Sequence, residues 1–191
     1  MKIDKDAFVK PVSVLVLICL FTSLLLALTY RVASPVIAAN NEAAAVAARK
    51  ELIPDADSFT DVTESLGELA ASSDDKAKVT EVYTADNGAG VVFTVDTTSF
   101  GGALTMMVGV DSEGAVSGVK IQSHADTAGV GTKNFADEYL AQYAGLTALS
   151  DENVKKDSNI DYISGASVTG TALHKGVYAA LMEYEEMGGA Q

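Results

Sequence analysis

The chain has one cysteine and two histidines in 191 residues. Cys19 lies inside an apolar N-terminal run. The rest of the chain therefore cannot form an internal disulfide, a cysteine zinc site or a cysteine-ligated iron–sulfur cluster. His124 and His174 are far apart in sequence, and no metal site is expected from them. If the protein moves electrons, an organic cofactor is the more economical expectation. Basic residues are scarce as well: 13 Lys and Arg stand against 26 Asp and Glu, and beyond residue 30 the ratio is 10 to 24. A nucleic-acid partner needs a basic footprint, and the sequence has none. An acidic domain is also repelled by anionic lipid heads, so any membrane anchor must come from apolar sequence.

Such a sequence is present. Pro11 to Tyr30 is a run of 20 residues without a formal charge, mostly Val, Leu, Ile and Ala. As a helix it spans roughly 30 Å, about the hydrocarbon thickness of a bilayer. A cleavable signal peptide is the alternative, with Lys2, Lys5 and Lys10 as its basic region and Val36–Ala39 as its small-residue site. The apolar run exceeds the usual length of roughly 7–15 residues for that role, which favours a retained anchor. Three closely packed lysines precede the run, and Arg31, Arg49 and Lys50 follow it more loosely. This spacing predicts a cytoplasmic N-terminus and an extracytoplasmic domain.

The expected organisation is a cytoplasmic tail over 1–10, an anchor over 11–32, a helical and acidic connector over 33–78 and a domain over 79–191. Asn40–Leu52 is alanine-rich and reads as a helix ending before Pro54. Residues 55–76 read as a surface excursion. Four strand-like runs follow, at 79–84, 90–97, 104–110 and 115–122, separated by turns such as Asp86-Asn87-Gly88 and Asp111-Ser112-Glu113-Gly114. They predict an antiparallel meander with one face buried. Phe135, Tyr139, Leu140 and Tyr143 recur at helical spacing. Leu173, Val177, Ala180, Leu181 and Tyr184 form one stripe of a final helix starting near Thr169. A sheet with helices segregated around it is α+β.

Asp161 to Gly170 reads Asp-Tyr-Ile-Ser-Gly-Ala-Ser-Val-Thr-Gly, directly ahead of that helix. Ser164, Ser167 and Thr169 are each plausible N-caps. Gly165 and Ala166 let the backbone come close to a ligand, and the free N–H groups of the first turn suit an anion such as a phosphate. From these residues alone, a loop that merely caps a helix is the commoner arrangement. The spacing is more specific. Asp161, Ser164, Gly165, Ala166, Ser167 and Thr169 fit Asp-x-x-[Ser/Thr]-Gly-Ala-[Ser/Thr]-x-Thr at every fixed position, a match rarer than about one in a thousand by chance.

That pattern resembles the flavinylation motif of the FMN-binding domains in the Rnf and Na⁺-translocating NADH:quinone reductase complexes. The resemblance implies that a flavin transferase uses FAD to esterify FMN onto the last threonine, here Thr169. The expected site is Thr169 with Ser164, Gly165, Ala166, Ser167 and Val168 around it, and Asp161 as part of the modification motif. Threonine is a poor nucleophile unless activated. No histidine stands beside Thr169, and His174 is expected on another, solvent-facing side of the helix. Thr169 would be a tether without a catalytic role, leaving redox chemistry to the flavin. A second stretch, Ser123–Lys133, looks like the family's His-x-Glu-Thr-Pro-Gly-Leu-Gly loop near the flavin. His124, Thr127, Gly129 and Gly131 match, while Asp126, Ala128 and Val130 replace Glu, Pro and Leu. A simple glycine-rich turn is the alternative for this loop. Tyr83, Phe93, Phe100, Tyr139 and Tyr162 are the aromatic candidates for the ring's surroundings, and the sequence does not rank them.

Size points to the G-type branch of this family. The implied role is an electron carrier with covalent FMN in a bacterial membrane ferredoxin:NAD⁺ oxidoreductase coupled to Na⁺ or H⁺ transport. It would be a redox component rather than a self-sufficient enzyme. Implied partners are the bilayer, other subunits including a second FMN-bearing membrane protein, and a flavin transferase for maturation. Alternatives are the C-type component of the Na⁺-translocating quinone reductase, a stand-alone anchored flavoprotein, and a cofactor-free anchored binding domain.

Overall fold

The computed structural model describes residues 5–189; Lys2 of the expected tail and Gln191 at the far end lie outside them. The chain divides after Ala44 into two units. The described residues of the first are helical and belong to α1, which runs Lys5–Leu52. In this unit the apolar side chains are exposed, among them Leu15, Leu17, Phe21, Leu24 and Leu26. Three of its hydroxyls turn back on their own helix. Ser13 donates to the Val9 carbonyl (2.8 Å), Thr22 to that of Ile18 (2.9 Å) and Thr29 to that of Leu25 (2.9 Å). An apolar surface with internally satisfied polar groups suits hydrocarbon rather than water. The helix is long and apolar enough to cross a membrane once.

Sequence reading separates an anchor over 11–32 from a helix over 40–52, yet the two are one element. Pro35 lies inside it. One proline removes a single hydrogen bond, and the helix-favouring residues on both sides continue the ladder.

The second unit begins at Ala45, so much of the expected 33–78 connector is part of it. Five antiparallel strands form one sheet in chain order: β1 (Phe59–Asp61), β2 (Ala77–Ala85), β3 (Gly90–Ser99), β4 (Gly102–Asp111) and β5 (Val116–His124). The four runs read from the sequence are β2 to β5. The segment 55–76 is no free excursion. It supplies β1, which pairs Thr60 with Thr84, and a bridge from Ala71 to Lys78. Glu183 of the last helix, a buried carboxylate, accepts the Ala70 N–H at 2.6 Å.

That last helix, α3 (Ser167–Glu186), lays Leu173, Val177, Ala180 and Leu181 on one face of the sheet, against Val79, Phe93, Val95, Met106 and Val108. The opposite face is covered too. Ala45, Leu52 and Ile53 pack on Val92 and Met107. Gly109 and Gly118, paired across β4 and β5, leave the recess for Leu52: a Cβ at Gly109 would stand 2.9 Å from the Leu52 Cβ. Burial on both faces explains why β3 carries a continuous run, Val91-Val92-Phe93-Thr94-Val95, rather than strict alternation.

The expected helix through Phe135–Tyr143 is broken. A 3-10 turn over Gly131–Phe135, the short helix α2 (Asp137–Leu140) and a second 3-10 turn over Ala141–Tyr143 replace it. Tyr139, Leu140 and Tyr143 are nonetheless buried. The spacing records their burial, and the extended backbone of Ala136 (ψ 139°) interrupts the helix. Phe93 is fully buried at the centre of the core. Phe93→Ala is expected to destabilise the domain by about 3–5 kcal/mol, read from urea unfolding of the detergent-solubilised chain.

Candidate functional site

The start of α3 meets the loop that follows β5. Gly165 adopts a left-handed backbone (φ +83°), which an L side chain rarely adopts, and turns the chain into the helix. Ala166 is the N-cap, and no side chain caps the helix among the described residues. The expected caps lie elsewhere: Ser167 and Thr169 are already helical and Ser164 is exposed. The first intrahelical bond is Gly170 N–H to the Ala166 carbonyl at 3.0 Å. The N–H groups of Ser167, Val168 and Thr169 therefore precede the ladder at the positive end of the helix.

Thr169 is 1% exposed, and its hydroxyl donates to Asp126 Oδ1 at 2.8 Å. Asp126 is itself 8% exposed. The same oxygen accepts the Gly101 N–H at 3.1 Å, so the β3–β4 turn also holds it. Asp126 Oδ2 is buried and has no hydrogen-bond partner among the described residues. Gly131 makes room, because a Cβ there would collide with the carboxylate. Asn134 provides a second tie that the sequence did not single out. Its Nδ2 donates to the Gly131 carbonyl (3.0 Å) and to the Ala166 carbonyl (3.1 Å). Gly170 is needed beside it, since a Cβ would come within 2.9 Å of Asn134 Oδ1.

Between these walls lies a cavity of about 330 Å³ lined by Phe100, Asp126, Thr127, Val130, Gly131 and residues 165–169. The structure thus brings together Gly165, Ala166, Ser167, Val168, Thr169, Asp126 and Thr127. It does not bring in His124, Ser164, Gly129 or Asp161. His124 ends β5 with its ring against Phe135 (centroids 4.9 Å apart). The Asp161 N–H donates to Gln142 Oε1 at 2.8 Å, ahead of the site. Of the aromatic candidates, Phe100 lines the cavity and is 77% exposed. Phe93 and Tyr139 belong to the core, and Tyr83 carries the Arg49 guanidinium at 3.5 Å over its ring. Tyr162 is exposed, with the Lys155 ammonium 6.0 Å from its ring centre.

His174 is not solvent-facing but fully buried. A helical offset of five residues carries it away from Thr169, toward the 150–157 segment rather than toward water. Its Nε2 faces the Asp151 carbonyl at 2.8 Å and Asp157 Oδ2 at 3.5 Å, and its Nδ1 faces the Tyr143 hydroxyl at 3.2 Å. A carbonyl only accepts, so Nε2 carries the hydrogen and Nδ1 accepts from Tyr143. Burial pushes the Tyr143 phenol well above its usual range, which keeps it a donor. Burial likewise lowers the His174 pKa, with the Asp151 carbonyl and the Asp157 carboxylate opposing it in part. The neutral imidazole belongs to the folded state, while the unfolded chain takes up a proton near pH 6.5. Stability is therefore full above about pH 6.5 and falls as pH drops from there through the lower, folded pKa. Unfolding free energies of wild type and His174→Asn between pH 7.5 and 5 are expected to show a steeper acid loss in wild type.

Comparisons with known proteins cover the segment that builds this site. Residues 99–182, from the β3–β4 turn through α3, match the FMN-binding domain family. The G-type subunit of the proton-translocating ferredoxin:NAD⁺ oxidoreductase complex of Clostridium ljungdahlii is 26% identical over 98% of this chain and 97% of that protein. Its counterpart in the Na⁺-translocating ferredoxin:NAD⁺ oxidoreductase complex of Acetobacterium woodii is 28% identical over 97% and 96%. The corresponding protein of the ion-translocating oxidoreductase complex of Stutzerimonas stutzeri is 33% identical over 53% and 49%. The candidate site thus lies within the segment that matches the FMN-binding domain model, and over most of its length the chain is similar to the G-type subunits of ion-translocating oxidoreductase complexes.

Proposed function

We propose that this chain is the electron-carrier subunit of an Rnf-type, ion-translocating ferredoxin:NAD⁺ oxidoreductase, with FMN esterified through its phosphate to Thr169. The observation that carries the reading is the buried Thr169 hydroxyl at the floor of the cavity, in the first turn of a helix that no described side chain caps. The G-type relatives extend along nearly the whole chain, apolar helix included, which supports membership of the complex.

The residues present fit the group. A phosphodiester on Thr169 would find the N–H groups at the start of α3, where backbone donors and the helix dipole favour an anion. The isoalloxazine ring would lie toward Phe100, Val130 and Val168, the apolar side chains at the cavity that remain exposed. When bound, the flavin supplies the redox chemistry, and the protein supplies attachment, orientation and electrostatics. Asp161, Ser164 and Gly129 do not line the cavity. On this reading they serve recognition by the transferase or shape the loop. A flavin transferase and a second FMN-bearing membrane protein of the complex are partners under the same proposal. The N-terminus is cytoplasmic and the flavin domain extracytoplasmic.

Two measurements check the proposal. Co-expression of the full chain with a flavin transferase and FAD is expected to give a fluorescent band that survives denaturation, with the FMN adduct mapped to Thr169. Thr169→Ala abolishes the adduct, and loss of the buried hydrogen bond costs about 1–3 kcal/mol, leaving the domain folded. An adduct on another hydroxyl would overturn the assignment. For orientation, a cysteine placed at exposed Gly188 in a Cys19→Ala background is expected to react with a membrane-impermeant maleimide added outside intact cells or spheroplasts. Labelling only after lysis reverses the topology.

A further inference from the structure

The Thr169 hydroxyl is not a free nucleophile awaiting a base from elsewhere. Its hydrogen already points at a carboxylate oxygen 2.8 Å away. Asp126 is the single titratable side chain among the described residues that line the cavity. Its Oδ1 is held in place by the Gly101 N–H, and the missing side chain at Gly131 lets the carboxylate stand where it does. Its Oδ2 is buried and lacks a hydrogen-bond partner among the described residues. A buried carboxylate oxygen without a donor is costly. Sequence reading treats Asp126 as a loop residue one methylene shorter than the family's Glu, and gives Thr169 no base.

We propose that Asp126 accepts the Thr169 proton during flavin attachment, so that the domain being modified supplies the base for its own modification. This inference rests on the reading that Thr169 is the flavin acceptor. The Thr169 oxygen forms a bond to the FMN phosphorus of FAD. The pyrophosphate P–O bond on that phosphorus breaks, and AMP leaves with its electron pair. The threonine proton moves along the existing hydrogen bond to Asp126, and nothing is oxidised or reduced. The protonated carboxyl can then donate to the ester or phosphate oxygens. That removes the repulsion of a carboxylate buried beside a phosphodiester anion.

The test is single-turnover loading of the full-length chain in detergent with purified flavin transferase and FAD at pH 7, followed by intact mass and peptide mapping. Asp126→Asn keeps an oxygen that can accept the Thr169 hydrogen bond but cannot take up the proton. It is expected to load at Thr169 about 100-fold more slowly, in line with the 10²–10⁴ of a general base. A loss of less than tenfold overturns the inference. Should Asp126→Asn fail to fold by circular dichroism, Asp126→Glu and Asp126→Gln replace it. They share a length and differ in the ability to take a proton. A Glu-to-Gln rate ratio of at least ten supports the proposal, and a smaller one overturns it. A wild-type chain that gains no mass, or gains it at another residue, defeats the acceptor assignment itself and this step with it. Normal loading at Thr169 in both wild type and Asp126→Asn defeats only the role of Asp126.

Discussion

The hydrogen bond from Thr169 to Asp126 is the constraint around which the site is built. Both groups are buried, and a buried polar group without a partner costs more than the bond itself contributes. The loop after β5 must therefore meet the first turn of α3 at that point. Asn134 reinforces the meeting by donating to the Ala166 carbonyl, and the Gly101 N–H draws the β3–β4 turn to the same carboxylate. Three segments distant in sequence are thus fixed around one oxygen pair, and the cavity is the space left between them. Gly131 and Gly170 follow from this arrangement: a side chain at either would occupy the place of Asp126 or Asn134.

The bare start of α3 has the same origin. A Ser or Thr cap is worth about 0.5–2 kcal/mol, and the motif contains three residues able to supply one. None does so among the described residues, because Gly165 turns the chain one residue before Ala166, which has no side-chain oxygen. Thr169 is carried past the capping position and sideways to Asp126. A helix that leaves this stabilisation unused, beside a cavity, has donors available for a ligand. That is a physical account of why the motif ends in threonine two residues inside the helix rather than at its cap.

The sheet and last helix were legible because their signals are local. Turn residues separate β2 to β5, and the Leu173–Leu181 stripe has helical period. Thr169 was singled out by the resemblance of its motif, and the structure buries its hydroxyl against Asp126. What was not legible depends on partners distant in sequence. β1 is three residues long and exists by pairing with β2. Tyr139 and Tyr143 carry helical spacing, but extended Ala136 breaks the segment. His174 reads as an ordinary surface residue until the 150–157 segment is seen to cover it. Asn134 is one of many loop amides until its nitrogen is found between two carbonyls. The Asp126 substitution in the loop was visible, but its meaning was not, since only the fold brings it within 2.8 Å of Thr169.

Burial of Thr169 bears on how the proposed cofactor sits. A cavity of about 330 Å³ is at the small end of ligand sites, which run roughly 300–1,000 Å³. It has room for a phosphate and adjoining chain. Phe100, Val130 and Val168 stay exposed beside it, and exposed apolar side chains around a recess mark a place where something apolar comes to rest. A ring tethered by its phosphate would find these side chains as its apolar contacts. For an electron carrier that placement is useful. On the proposed reading, a tether would prevent loss of the flavin, and a ring beside exposed side chains could approach a redox partner without opening the fold. The same geometry constrains loading. Thr169 is reached through the cavity, past Thr127 and Val130. On the proposed reading, transfer to Thr169 would proceed through the opening that Thr127 and Val130 line, with Asp126 already holding the hydroxyl.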